Sequence, residues 1–407
     1  MENRYDKYKD SGIAWIGEIP EHWKVKKGKN LFKKEERPVR DNDEIVTCFR
    51  DGEVTLRSNR RIDGFTNAMK EVGYQGVRRG DLVIHNMDAF AGAIGVSDSD
   101  GKSTPVYSVC TPKNNIEANV YYYAYLLRSY ALGGVIQSLA KGIRERSTDF
   151  RYKEFGDLYY QQPPIEEQQS IASYLDQKCG EIDKLITLQE EMITKLQSYK
   201  QSVIIEAVTK GLDKNVPLKD SGIEWIGEIP EHWSVVKIKY LAKIKSGDSI
   251  SSNEIMQEGI YEVYGGNGLM GFCNKKNVDG VNIIIGRVGA LCGNVRLISE
   301  SKFITDNALI LNCFDNALYS YMYIMLKAAN LNNLNTSNAQ PLITGSKVLN
   351  VSLPIPPLSE QQSIADYLDQ KCSEIDELIS IKQQKIEKLK DYKKSLIFEC
   401  VTGKRKV

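Results

Sequence analysis

The chain has little of what usually announces a chemistry. Its 407 residues include only three histidines. His22 and His232 each stand beside a tryptophan and read as structural, and His85 has no catalytic companion. Eight cysteines are too sparse for a disulfide scaffold, and no CxxC spacing occurs among them. They read as free thiols in a reducing cytoplasm, not as zinc ligands. No run approaches the roughly 18 to 20 apolar residues that a membrane span requires. The first residues, MENRYDKYKDSGI, lack the apolar stretch of a secretory signal, so a cytoplasmic location with no membrane contact is expected. An excess of charge is missing too, since 54 Lys and Arg stand against 53 Asp and Glu. That excludes a strongly basic nucleic-acid binder but not a locally basic one. With 42% hydrophobic and 26% charged residues, the composition is that of an ordinary globular chain.

Cofactor motifs are also missing. Gly266-Asn267-Gly268-Leu269-Met270-Gly271 fits GxGxxG, but the residues after it, Phe272 to Asn277, have no helical period. A dinucleotide fingerprint must lead into a helix N-terminus, so this stretch reads as a turn. Gly95 through Gly101-Lys102-Ser103 has five residues between its glycines, one too many for a phosphate loop. There is no Asn/Asp-Pro-Pro-aromatic motif of an adenine methyltransferase, and no helicase or nuclease signature. The sequence carries no convincing active site.

What is present is repetition. KDSGIAWIGEIPEHW at 9–23 returns at 219–233, identical at 14 of 15 positions. EQQSIASYLDQKCGEIDKLI at 167–186 returns at 360–379, identical at 17 of 20. Between them lie two segments, 24–162 and 234–355, that share little sequence. A recent duplication would have left these segments similar as well. The pattern suggests two copies of one partner on the repeats and two different jobs for the variable segments. The C-terminal Val401-Thr402-Gly403-Lys404 resembles Val208-Thr209-Lys210-Gly211 at the central junction. Joining the two ends would roughly recreate that junction, so the halves are circularly related. An internal pseudo-two-fold and neighbouring termini are expected.

Each helical repeat begins after a double proline, Pro163-Pro164 or Pro356-Pro357. Leu175, Ile182, Leu196 and Val203 follow a heptad, and Ile171, Leu185, Met192 and Tyr199 form a second seam. Leu368, Ile375, Leu389 and Leu396 match the first seam in the other copy, and Ile364, Leu378 and Tyr392 match the second. Helices of about 40 residues, or roughly 60 Å, are expected to pair antiparallel. Gln189 and Lys382 occupy core-like positions that either fix register or sit at an exposed edge. Cys179 and Cys372 read as small packing residues.

Both variable segments read as mixed α/β, with short β-rich runs separated by Gly and Asn turns. Asp81–Ile84 aligns in order with Val281–Ile285, Val106–Cys110 with Ala308–Leu311, and the aromatic Tyr121–Leu127 with Tyr319–Leu326. Each segment holds clusters of the side chains that read base edges. In the first these are Arg50, Arg57, Asn59, Arg60 and Arg61, then Lys141, Arg144 and Arg146. In the second they are Tyr264, Asn267 and Arg287, then Asn335, Thr336, Asn338 and Gln340. The charge also divides unevenly. Residues 24–162 hold 23 basic and 18 acidic side chains, and residues 234–355 hold 11 and 8. Two mildly basic segments are offset by acidic connecting material, and phosphate attraction depends on local charge.

The whole chain resembles the specificity subunits of type I restriction-modification systems. The resemblance rests on SGIxWIGEIPEHW before each variable segment and PPxxEQQSIAxYLDQKCxEID after it. It rests also on the circular repeat, on Val263–Gly268, and on Ile285-Gly286-Arg287-Val288-Gly289-Ala290. It implies an α+β chain with two mixed α/β target recognition domains separated by two long antiparallel coiled-coil helices. The division would be 1–162, 163–210, 211–355 and 356–407. Each recognition domain would read one half of a bipartite site in double-stranded DNA, with the helices as the ruler between the halves. Two modification subunits would dock on the helices, with Ile171, Leu175, Ile182, Leu196, Ile364, Leu368, Ile375 and Leu389 as docking residues. The chain would hold no cofactor and be non-catalytic by itself. S-adenosylmethionine, ATP and Mg would belong to modification and restriction subunits. The alternative is a coiled-coil scaffold, or an orphan DNA-binding protein outside a restriction complex.

Overall fold

A computed structural model describes residues 4–60, 72–139, 149–289, 291–315, 317–335 and 341–407. The chain forms two compact units. One comprises Met1–Gln189 with Gln384–Val407, the other Glu190–Gln383.

In the first unit, strands Tyr8–Asp10 and Glu18–Pro20 form a hairpin with Tyr8 opposite Pro20. Trp23 follows and is fully buried. Lys24–Lys27 pairs with Tyr159–Gln162, so the two ends of the variable segment are tied together. Between them lies a four-stranded antiparallel sheet, in the order Phe32–Lys34, Tyr107–Pro112, Leu82–His85, Ile94–Val96. Successive strand residues face opposite sides. Leu82, Ile84 and Cys110 therefore join one core and Val83 and Val109 another. A sheet covered on both faces explains why LVIH reads as a continuous apolar run. The aromatic helix Val120–Leu132 packs on the first face. Asn119 caps it by accepting from the Tyr121 and Tyr122 amides.

The second unit repeats this plan on a different sequence. Leu218–Asp220 pairs with Glu228–Pro230, and Ser234–Lys237 with Ser352–Ile355. Its sheet runs Ala242–Ser246, Ala308–Cys313, Asn282–Gly286, Val295–Ile298. Ile283 and Leu311 face the helix Tyr319–Ala328, and Ile284 and Ile310 the opposite core. The stretch expected as a turn resolves differently. Gly266-Asn267 turns a hairpin, and Gly268–Cys273 is a strand paired with Tyr261–Gly265. Strand pairing thus leaves no helix N-terminus for a dinucleotide.

The long helices run Ile165–Lys210 and Leu358–Val401, 46 and 44 residues, each starting directly after its double proline. Each gives one end to each unit. In the first unit Lys393 Nζ donates to Asp183 at 2.7 Å. In the second, Lys200 Nζ donates to Asp376 at 2.6 Å. Asp183 and Asp376 are repeat counterparts, as are Lys200 and Lys393. The same contact is thus made twice with the roles of the helices exchanged. Within the second unit Lys200 meets Asp376, while Val203 and Val208 share a core with Leu368 and Ile364. That is the antiparallel sense.

The second heptad seam is only partly buried. Ile171 and Ile364 are enclosed, but Leu185, Met192, Tyr199, Leu378 and Tyr392 are exposed. A helix pair covers one stripe, and no further helix of the described residues covers the other. Gln189 is buried and Lys382 half-buried. The Tyr8 hydroxyl donates to the Gly403 carbonyl at 3.0 Å, so the two ends of the chain do meet. Gly403, at φ +74°, lies against Pro20 and Trp23, as Gly211 lies against Pro230 and Trp233 at the same φ.

The two buried tryptophans differ in one respect. Trp233 Nε1 donates to Glu360 at 2.9 Å, but Trp23 Nε1 has no partner among the described residues. Tyr5, whose repeat counterpart is Asn215, donates its hydroxyl to the equivalent Glu167. Trp233→Phe is therefore expected to destabilise the protein by about 1–3 kcal/mol more than Trp23→Phe, because only the first breaks a satisfied bond. Paired denaturant titrations measure this difference.

Candidate nucleic-acid interface

A set of polar contacts fastens each variable segment to both long helices. In the first unit Gln168, fully buried, accepts the Asn119 amide at 2.9 Å. Its Nε2 donates to the Pro163 carbonyl at 2.8 Å and the Glu117 carbonyl at 3.1 Å. In the second unit Gln361 accepts the Leu318 amide at 2.9 Å and donates to the Pro356 carbonyl at 3.0 Å. The helix opposite is held by a tyrosine. Tyr122 donates to the Val401 carbonyl at 3.0 Å, and burial raises its pKa. Tyr321 donates to Pro354 at 3.0 Å and to Val208 at 3.5 Å, and is shifted up by burial in the same way. Exposed His22 and His232 bridge to Glu167 and Glu360 at 2.8 and 2.7 Å. Two unlike segments are thus seated on the same set of anchors.

The first cluster of expected readers gathers on one hairpin, formed by Val46–Cys48 and Val54–Leu56. Its arginines already have partners within the chain. Arg50 donates to Asp88 at 2.9 Å. Arg60 donates to Asp51 at 2.7 Å and Glu53 at 2.8 Å, with its guanidinium 4.2 Å from the Phe49 ring centre. Partial burial opposes the Arg60 charge, but the two carboxylates outweigh it and its pKa rises. Arg57 donates to Thr47 at 3.2 Å and Asn59 to Thr55 at 2.7 Å. Arg61, Lys141, Arg144 and Arg146 lie outside the described residues.

Sequence reading missed Arg128, on the aromatic helix. Its guanidinium packs under Gly52, where a Cβ would come within 2.5 Å of it and φ is +90°. Burial lowers its pKa, and its Nε has no partner among the described residues. The signal was a lone charge in VYYYAYLLRSYAL.

The second cluster is built from close-packed glycine backbones. A Cβ on Gly286 would come within 2.5 Å of the Gly266 carbonyl, and one on Gly266 within 2.6 Å of the Asn307 carbonyl. Only glycine allows the 264–268 hairpin to lie this close to the strand that ends in Arg287. The Arg287 carbonyl accepts the Ile343 amide at 2.9 Å, and Asn335 accepts the Leu342 amide at 3.2 Å. Tyr264, on a strand, and Asn267, Arg287 and Asn335, on the adjoining turns, therefore belong to connected segments, while Thr336, Asn338 and Gln340 fall outside the described residues. Arg287 Nη1 donates to Ser246 at 3.2 Å. Arg296, missed because it reads as an ordinary strand residue, donates to the Asn267 carbonyl at 3.0 Å. Neither Arg287 nor Arg296 forms an ion pair among the described residues, and Arg287 Nε and Arg296 Nη1 are buried without partners. The two clusters differ in charge balance: the first is buffered by carboxylates, the second leaves two guanidinium groups uncompensated.

The helix residues expected to dock partners are placed inside the chain's own cores. Ile171, Leu175, Ile182, Ile364, Leu368 and Ile375 are buried, and Leu196 and Leu389 half-buried. A side chain already enclosed offers little to a second protein. Apolar groups of the helices that do face solvent include Leu185, Leu188 and Tyr392 in the first unit and Met192, Tyr199, Leu378 and Ile381 in the second. No group of three or more potential metal ligands occurs among the described residues. No helix described is long and apolar enough to cross a membrane.

Residues 230–391 match the type I restriction modification DNA specificity domain. Over 96% of both chains, the protein is 27% identical to a putative type I restriction enzyme MjaX specificity subunit of Methanocaldococcus jannaschii. It is 33% identical to the Escherichia coli type I restriction enzyme EcoprrI specificity subunit over 32% of this chain and 33% of that one. A chain from a structural study of type I R-M complex assembly and conformational transition superposes with a TM-score of 0.75 at 16% identity, covering 94% of this chain and 98% of the other. The HsdS subunit from Thermoanaerobacter tengcongensis superposes at 0.56 and 18% identity, covering 95% and 98%. These two likenesses speak to the fold.

Proposed function

We infer that this chain is a type I restriction-modification specificity subunit, like the relatives it resembles, and that it recognises a bipartite DNA sequence, one half through each variable segment. The observation that carries this reading is the seating of two unlike segments on one set of repeated anchors, Gln168 with Tyr122 and Gln361 with Tyr321. Equal mounting with unequal faces suits two readers of different half-sites. The long helices would set the spacer, and their repeated surfaces would receive two modification subunits for adenine-N6 methylation. With restriction subunits added, the complex would cleave. The chain itself would be non-catalytic, with S-adenosylmethionine, ATP and Mg held by its partners.

Mapping methylated adenines in a genome that carries this chain and its modification subunit tests the reading. A split, asymmetric motif is the expected result, and a continuous motif would overturn it. Adding one helical turn to both long helices is expected to widen the spacer between half-sites, read in the same assay.

Arg287 is the strongest base-reading candidate in the second segment, because its charge has no carboxylate to leave among the described residues. Arg287→Gln is expected to cost about 1–3 kcal/mol in binding at one half-site if the guanidinium grips a guanine edge. Competition with single-base variants of the site measures it. A loss that is uniform across bases would mark a phosphate contact instead.

A further inference from the structure

The near-identical block at 9–23 and 219–233 contains two tryptophans in each copy, and their fates differ. Trp23 and Trp233 are core residues. Trp15 and Trp225 are 44% and 42% exposed, and neither makes a hydrogen bond or ring contact among the described residues. Each sits at the tip of its hairpin on a tightly built turn. In the first unit Ser11 N donates to the Gly17 carbonyl, Gly17 N to Ile13, and Ile13 N to Ser11 Oγ. In the second the same bonds join Ser221, Gly227 and Ile223, with lengths within about 0.1 Å of the first set. Gly12 and Gly17 have φ of +72° and +69°, and Gly222 and Gly227 +69° and +68°. Two left-handed glycines and a serine cap thus carry a half-exposed indole on the same backbone turn in both units.

The fold does not require this indole. Burial of Ile16, Ile19 and Trp23 accounts for identity at their positions, but substitutions at exposed sites typically change stability by only about 0.5 kcal/mol. Yet the exposed positions of the turn are also identical, apart from Ala14 against Glu224. A fixed, solvent-facing tryptophan is a typical anchor of a protein interface, since little conformational freedom is lost when it is covered. The neighbouring charges argue against nucleic acid. Asp10, Glu18 and Glu21, with Asp220, Glu228 and Glu231 in the other copy, would repel phosphates.

We propose that the Trp15 and Trp225 turns are two equivalent docking points for two copies of the modification subunit, each indole entering an apolar pocket rimmed by basic groups. This rests on the functional reading above, which supplies a partner present twice. It places a contact outside the long helices, in the block that precedes each variable segment.

The test uses the full-length chain and its purified modification subunit, with stoichiometry and affinity read by sedimentation. The wild-type chain is expected to take two copies. Trp15→Ala or Trp225→Ala should weaken one of the two sites by about 30-fold, in the range of an interface hot spot. The double variant should take neither copy at concentrations that saturate the wild type, while its thermal unfolding stays unchanged. Hydrogen exchange on the wild-type chain gives a readout independent of any variant: residues 11–17 and 221–227 should gain protection in the complex. A double variant that still takes two copies with wild-type affinity overturns the proposal alone. Reduced DNA affinity of the double variant without modification subunit also overturns it, in favour of a DNA contact. A wild-type chain that takes no modification subunit removes both the proposal and the reading beneath it.

Discussion

Exchanging residues 24–162 for the corresponding segment of a related specificity subunit is expected to replace one half of the recognised DNA sequence and leave the other untouched. On the proposed function the effect is total at one half-site, because the whole segment is exchanged. The structure shows why the graft should fold. The segment enters through Lys24–Lys27 and leaves through Tyr159–Gln162, and these strands are paired with each other. Its ends are therefore adjacent, and a replacement need only reproduce that pairing. The seat is made of backbone groups, with the Asn119 amide on Gln168 and the Val401 carbonyl on Tyr122, so it asks little of the incoming sequence beyond a tyrosine. Methylation mapping of the chimera measures the outcome. A change in both half-sites would end the idea of independent readers.

The largest expected loss of stability belongs to Gln168→Leu, with Gln361→Leu as its counterpart. Leucine is close in volume, so packing is largely kept and the bonds are what is lost. Gln168 satisfies the Asn119 amide and the Pro163 and Glu117 carbonyls in a site without water access. Gln162 also donates to the Glu117 carbonyl, at 3.1 Å, so the Asn119 amide and the Pro163 carbonyl are the groups left alone. At about 1–3 kcal/mol for each, a loss of at least about 2 kcal/mol is expected. That is a large share of the total stability of an ordinary domain. Gln361→Leu releases the Leu318 amide and the Pro356 carbonyl in the same manner. Denaturant unfolding with hydrogen exchange at Asn119 and Leu318 should show each loss in its own unit. Stability within about 1 kcal/mol of wild type in both variants would mean that these glutamines are not the fastenings described.

The failures of sequence reading are as instructive as its successes. The central strands of the variable segments were legible along the chain, since Leu82–Ile84 and Ile283–Ile285 are apolar runs between turns. Helix limits were legible to within a few residues, because proline pairs and heptads mark them. The docking residues were not, because a heptad shows that a side chain is apolar without showing what covers it. Leu175 and Leu185 look alike in sequence, yet one is enclosed and the other exposed. The arginine clusters were legible as groups, but whether each guanidinium already had a carboxylate depended on contacts between distant residues such as Arg50 and Asp88.

By itself the sequence determined the circular repeat, the two long helices and the paired variable segments, because all three are written as local patterns of identity and period. Tertiary structure alone decided which copies of those patterns face solvent. It assigned Trp23 to a core and Trp15 to a tip, and it set carboxylates beside Arg50 and Arg60 while none among the described residues pairs with Arg287 or Arg296. Burial and ion pairing are properties of neighbours far apart in the chain, and no local pattern records them.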